Sequence, residues 1–142
     1  GMTFLKTGAG FHPFMKLDED AKGYHNFANI MKECSAVTGA CLLTTRDIFE
    51  QIGEFDEDFD VYYGDSDLCL KIRDAGYKVV YTPFSVLLHD GSRTIRGKFN
   101  FNYFAVESHQ RFLEKWPELK NGDPFYHEML DWDYSLPEKF DA

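Results

Sequence analysis

The chain begins without a clean hydrophobic period. Residues 2–35 scatter aromatics among Gly8, Gly10, Pro13 and a polar stretch from Asp18 to Lys22, a pattern that predicts a long loop with one short helix near Tyr24–Met31. From Ala36 the pattern sharpens. The small apolar run from Val37 to Leu43 predicts a buried strand or a tight strand entry. Thr45 is placed to cap a short helix with apolar positions at Ile48, Phe49 and Ile52, closed by Gly53. An acidic, aromatic loop follows from Phe55 to Tyr63. A second helix is expected to start near Asp65–Asp67, capped by Asp65 or Ser66, to bury Leu68, Ile72 and Ala75, and to stop at Gly76.

Lys78–Thr82 alternates as a strand ending at Pro83, and Ser85–His89 reads as another apolar strand. Gly91 to Lys98 is a loop carrying three cations. Phe101, Phe104, Ala105, Ser108, Phe112 and Trp116 recur at helical spacing, and Pro117 marks the stop. The tail beyond Asn121 is irregular, and no internal repeat is visible. This order predicts a single α/β domain over residues 1–142. It lacks the opening strand–helix alternation that builds a nucleotide-binding sheet.

Composition narrows the field. At 142 residues one domain is expected, and a chain of that size buries roughly two-thirds of its unfolded surface. The formal charge of -9 repels phosphate backbones, and Lys and Arg form no run, so nucleic acid is not an expected partner. Cys34, Cys41 and Cys69 are odd in number and share no metal-ligand spacing, which points to reduced thiols. No apolar stretch approaches the ~20 residues needed to span a bilayer, and no secretory leader is read. Gly1 ahead of Met2 reads as a tag remnant. With Met2 as a start, the protein would be natively short.

The densest chemistry lies between Asp56 and Asp67. Asp56, Glu57, Asp58, Asp60, Asp65 and Asp67 fall within twelve residues that contain no Lys or Arg. So many like charges need solvent, a metal or a helix N-terminus to compensate them. Three readings stand: a solvated acidic loop ahead of a capped helix, a calcium loop, or a catalytic carboxylate. The calcium loop fails on detail, because Val61 sits where the turn needs Gly and Asp67 where a bidentate Glu is expected. A carboxylate at a helix start can serve as general base toward a hydroxyl.

The surroundings of that carboxylate resemble a family 2 glycosyltransferase of the GT-A type. Val37-Thr38-Gly39-Ala40-Cys41-Leu42-Leu43, Arg46, Phe49, Gly53, Phe55-Asp56-Glu57, Gly64 to Lys71, Ala75-Gly76-Tyr77 and Thr82-Pro83 to His89 follow, in order, the family's T-G-A-x-x-L, R-x-x-F, G-x-F-D-E, E-D-x-D-L-x-x-R, A-G-Y and x-x-H. The likeness covers residues 36–116. It implies a partial GT-A-like mixed sheet flanked by helices, the C-terminal, acceptor-side half of an inverting enzyme, with the N-terminal nucleotide-binding half missing. Transfer would run from a nucleotide-sugar donor to a hydroxyl of a glycan or lipid-linked acceptor, in polysaccharide biosynthesis. Family membership places such enzymes in the cytoplasm or at the membrane's cytoplasmic face.

By that resemblance Asp65 is the catalytic base. Thr38 and Gly39 lie where the chain passes the sugar and the acceptor, and Asp67 supports the loop beside the substrate. His89 matches a position that in related enzymes contacts the metal or the diphosphate, while a satisfied strand-end histidine remains an equal reading. Arg93, Arg96 and Lys98 would neutralise a leaving diphosphate, or form a solvated loop. Mn²⁺ or Mg²⁺ is expected in the complete enzyme. The Asp-x-Asp pairs at Asp18/Asp20, Asp56/Asp58, Asp58/Asp60, Asp65/Asp67 and Asp131/Asp133 follow no apolar strand, and none is assigned the metal.

Two departures stand out. Gly64 replaces the family's Glu before the base, and Lys71 stands where Arg is commoner. Two rival classes stay open. One is a non-catalytic interaction module, or a remnant or split half, covering its exposed apolar surface by self-association or a partner. The other is a metal-dependent hydrolase using the acidic loop, which lacks a ligand set at useful spacing.

Overall fold

A computed structural model of the chain describes residues 1–14, 23–59, 62–87 and 101–126. The elements are short strands β1 (Thr3–Phe4), β2 (Gly10–Phe11), β3 (Lys32–Glu33) and β4 (Val80–Tyr81), with helices α1 (Arg46–Gln51), α2 (Gly64–Asp74) and α3 (Phe101–Lys115). β1 pairs with β2 and β3 with β4, both antiparallel. The register sets Thr3 against Phe11 and Lys32 against Tyr81. A single bridge between Met2 and Ala36 ties the first pair to the second. Among the described residues this is a small α/β arrangement of short sheets and three α-helices, compatible with part of a larger α/β domain.

Each helix shows the signal that makes it. Thr45 Oγ1 accepts from the Ile48 N–H at 3.3 Å, and Gly53 takes a left-handed φ of 79° just past the end of α1. α2 buries Leu68, Leu70 and Ile72 and ends before Gly76, whose φ is 87°. α3 stops at Lys115, with Pro117 opening a 3-10 turn over Pro117–Asn121. Phe112 of α3 is fully buried against Phe4, Phe59 and Tyr63. That aromatic cluster joins β1, the acidic loop and α3 into one core with Leu68 and Leu119.

Several expectations are corrected. Val37–Leu43 is not a strand: Gly39–Cys41 is a 3-10 turn, and Leu43 is 97% exposed. The Thr38 hydroxyl accepts from the Ala40 N–H and closes that turn locally. Ala75 is exposed, because it lies beyond the last helical residue. The short helix expected near Tyr24–Met31 is a 3-10 turn over Tyr24–Asn29, broken where His25 and Asn26 take positive φ. Neither Asp65 nor Ser66 caps α2. Tyr63, in the left-handed region, precedes its first residue with no side-chain cap. The strand expected over Lys78–Thr82 pairs only at Val80–Tyr81, and Ser85–Leu87 form none.

Candidate active site

The turn at Thr38–Cys41 and the first turn of α2 meet at Asp65. Asp65 Oδ2 accepts from the Gly39 N–H at 2.8 Å, and Oδ1 accepts from the Ser66 N–H at 2.8 Å. The side chain is half-buried. It is therefore approachable, and it is held by two backbone donors at a helix N-terminus. The approach is close: a Cβ on Gly39 would lie 3.2 Å from Asp65 Cβ. Three of the residues singled out by sequence, Thr38, Gly39 and Asp65, thus come together.

Asp67 occupies a different environment. It is fully buried. Trp116 Nε1 donates to Oδ1 at 2.8 Å, and the Lys115 ammonium reaches Oδ1 at 2.8 Å and Oδ2 at 3.0 Å. Lys71 adds a longer contact of 3.8 Å. The carboxylate fastens α2 to the end of α3. A buried carboxylate needs such partners, since an unpaired one costs several kcal/mol.

The acidic loop is compensated from the same helix. Lys115 also bonds Asp56 at 2.6 Å, and Arg111 pairs with Asp58 at 2.9 Å. The Lys115 hydrogen bond, helped by the Asp58 N–H, holds the Asp56 carboxyl below the usual carboxylate range. Burial opposes the charge on Lys115, but hydrogen bonds to Asp56 and Asp67 outweigh it and raise its pKa. Among the described residues of the loop, Glu57 and Asp58 are exposed, as in a solvated acidic loop, while Asp56 and Asp58 also take ion-pair partners from α3.

Residues that sequence reasoning missed complete the surroundings. The Tyr63 hydroxyl lies 2.8 Å from His109 Nδ1, its ring stacks on Phe112 at 4.5 Å, and its carbonyl accepts from the Asp67 N–H at 2.7 Å. Together these contacts hold Tyr63 in its left-handed conformation, one residue before Gly64 and two before Asp65. Burial raises the pKa of the Tyr63 hydroxyl. His12, beyond β2, is lowered mainly by burial and secondarily by the chain's α-amino group; the negative charge of Asp65 acts on it in the opposite sense. No local motif marks His12, Tyr63 or His109.

The two departures have structural consequences. An added Cβ at Gly64 would meet the Phe59 carbonyl at 3.5 Å and the Phe59 Cβ at 3.9 Å, ordinary contact distances. Lys71 does not point to solvent: its ammonium bonds the Gly53 carbonyl at 3.4 Å and the Glu54 carbonyl. It thereby pins the turn after α1 to α2.

His89, Arg93, Arg96 and Lys98 lie outside the described residues. Among the described residues no three His, Cys, Asp or Glu side chains converge on a common point, so these side chains do not themselves form a metal site. Among them, too, no helix is long and apolar enough to cross a membrane. All three cysteines are free, with Cys34 and Cys69 buried and Cys41 exposed in the turn beside Asp65.

Comparison with known proteins adds three partial likenesses. The chain is 38% identical over 131 residues to an uncharacterized protein of Sinorhizobium fredii, covering 87% of this chain and 14% of that protein. It is 31% identical over 133 residues to an O-antigen biosynthesis protein of Myxococcus xanthus, covering 92% of this chain and 10% of that one. A 53-residue stretch, 37% of this chain and 17% of the relative, is 42% identical to an N-acetylglucosaminyl-diphospho-decaprenol L-rhamnosyltransferase of Mycobacterium tuberculosis. The chain thus spans about a tenth to a sixth of the length of these relatives. No protein family profile matches it, and no solved structure does.

Proposed function

We propose that this chain is the acceptor-side, base-bearing part of a glycosyltransferase that transfers a sugar from a nucleotide-sugar donor to an acceptor hydroxyl with inversion. The observation that carries the reading is the fixed carboxylate of Asp65, held by the Gly39 and Ser66 N–H groups at the start of α2. Likeness to proteins named for O-antigen biosynthesis and rhamnosyl transfer supports glycosyl transfer as the general chemistry. The GT-A arrangement, the family 2 assignment and a cytoplasmic setting belong to the same proposal.

Asp65 takes the proton of the acceptor hydroxyl as its oxygen attacks the anomeric carbon. The new C–O bond forms on the face opposite the leaving nucleoside diphosphate, whose bond to that carbon breaks. With two backbone bonds, Asp65 keeps lone pairs for the acceptor. Positioned base catalysis of this kind contributes ~10²–10⁴-fold. Thr38 and Gly39 shape the wall beside the reacting hydroxyl, and Asp67 acts as a positioning residue through Trp116 and Lys115. His89, Arg93, Arg96 and Lys98 are proposed to face the diphosphate. Mn²⁺ or Mg²⁺ is proposed for the complete enzyme, but the described side chains form no site for it and no step here passes through it.

A calorimetric screen of this chain against UDP-, GDP- and dTDP-sugars, with and without Mn²⁺, tests the division of labour. The proposal expects no donor binding by the chain alone. A metal-dependent heat would contradict it, and at a hundredfold excess over Kd would stabilise the fold by ~2.7 kcal/mol.

One observation favours a second reading, an interaction module or split half. Phe84, Val86 and Leu87 are 82%, 87% and 66% exposed, an apolar run just after β4. Light scattering at micromolar concentration decides it: self-association abolished by Phe84→Ser supports a covered face, and a monomer contradicts it.

A further inference from the structure

α2 begins after a residue in a conformation that its type rarely takes. Tyr63 has φ 69° and ψ −4°, in the left-handed region, with no side-chain cap on the helix. Gly and Asn reach that region at little cost, whereas a bulky aromatic stays there only when its surroundings hold it. Such outliers concentrate at sites where geometry matters. Tyr63 lies two residues before Asp65.

The holding groups come from one face of α3. The Tyr63 hydroxyl and His109 Nδ1 share a hydrogen bond of 2.8 Å. The Tyr63 ring stacks on Phe112 at 4.5 Å, with 25° between the planes, and meets the His109 ring at 5.7 Å. His109 and Phe112 are three residues apart, so they project from the same side of the helix. Phe112 is fully buried and His109 half-buried. Stacking alone lets a ring slide over its neighbour. The hydrogen bond fixes the far end of the ring as well, because it is directional.

The backbone of Tyr63 carries that placement to Asp65. Its carbonyl accepts from the Asp67 N–H at 2.7 Å, the bond that closes the first turn of α2. Asp65 sits inside that turn, and its Oδ2 takes the Gly39 N–H at 2.8 Å from a separate segment. A swing of Tyr63 toward ordinary negative φ would redirect the turn. The carboxylate would then leave its Gly39 donor.

We propose that His109 is a positioning residue for Asp65, acting through Tyr63: its bond to the Tyr63 hydroxyl keeps Tyr63 left-handed and so fixes where the first turn of α2 presents the carboxylate. That role rests on Asp65 being the base. His109 touches no reacting atom in this scheme. It sets the alignment of base and acceptor, on which rate depends steeply.

Two variants cut the bond from either side: Tyr63→Phe, which keeps the stack, and His109→Leu. In this chain the readout is amide hydrogen exchange. The Gly39 N–H is tied to Asp65, whereas the Phe4 N–H donates to the buried Asp123 carboxylate at 2.7 Å and follows opening of the core. Both variants are expected to quicken exchange at Gly39 severalfold more than at Phe4. In a full-length protein containing this segment, each should lower kcat by about tenfold or more with KM for the acceptor little changed. His109→Asn, whose side-chain amide sets a polar atom near the place of Nδ1, should restore most of the loss. The double variant should be no worse than either single one.

Unchanged exchange at Gly39, or equal quickening at Gly39 and Phe4, would overturn the role. So would an unaltered kcat, a loss confined to KM, no restoration by Asn, or additive losses in the double variant. Exchange is read without turnover. An Asp65→Asn variant that keeps its turnover therefore sinks the base and leaves the Gly39 result standing, while an unmoved Gly39 amide sinks only the role of His109.

Discussion

The Gly39 N–H donates to Asp65 Oδ2 at 2.8 Å across 26 residues of sequence, and the two Cα–Cβ regions are so close that a methyl group barely fits between them. One backbone turn thereby fixes the rotamer of the carboxylate on which the proposed chemistry depends.

Gly39→Ala probes that contact directly. Its Cβ would stand 3.2 Å from Asp65 Cβ, so one backbone must yield by a few tenths of an ångström. Overpacking of this kind typically costs about 1–3 kcal/mol. Chemical denaturation of the chain is expected to show a loss within that range. A full-length enzyme carrying the substitution should lose turnover beyond what the stability loss explains, because Asp65 is displaced.

The Asp67 network predicts a large effect far from any proposed reacting atom. Trp116→Phe keeps the ring packing but removes the donor at 2.8 Å from a fully buried carboxylate. A lost hydrogen bond to a charged group should cost about 1.5–3 kcal/mol in urea unfolding. A cost near zero would show that Lys115 and Lys71 satisfy Asp67 without Trp116.

Asp56 gives a pH dependence with a defined sign. Its folded pKa is depressed, by the Lys115 hydrogen bond first and the Asp58 N–H second. The folded state therefore binds its proton less readily than the unfolded state. The stability it contributes is present above the ordinary value of 3.8 and is lost as pH falls through the lower folded pKa. Asp56→Asn should be less stable than the parent at neutral pH, and the gap should close on acidification below that value. The partly exposed pair makes a modest gap, which should narrow further in high salt.

The thiols should separate cleanly. Burial pushes the Cys69 thiol up to about 11 and raises Cys34 as well, whereas Cys41 is exposed. A thiol-specific chromophore at neutral pH is expected to label Cys41 fast, and Cys34 and Cys69 only on unfolding.

Local signals made the helices legible and long-range ones hid the site's supports. Thr45, Gly53, Gly76 and Pro117 act within a few residues of themselves, so α1, α2 and α3 follow from pattern alone. Val37–Leu43 misleads because its small apolar residues fit a strand, yet the Thr38 hydroxyl and the Asp65 carboxylate take its N–H groups and bend it into a turn. Asp65 looks like a helix cap for the same reason in reverse, since one of its oxygens is spent on Gly39. The loop's ion pairs are hidden in the sequence because its cations, Arg111 and Lys115, lie on α3, 59 residues away in the Lys115–Asp56 bond. Spacing of the acidic residues carries no sign of them. Asp65, Thr38 and Gly39 were legible together only through resemblance to a family, which carried the pairing of two segments that no periodicity links.

The most direct test is the turnover of a full-length protein containing this segment with Asp65→Asn. The substitution keeps the side chain's size and its acceptor oxygen for Gly39 while removing its basicity. A loss of about a hundredfold or more in kcat, with donor affinity little changed, is the result this account predicts. The loss should exceed what the melting-temperature drop from the lost Ser66 bond explains. Turnover near that of the parent would contradict it, and would leave Asp65 as a structural tie between two turns.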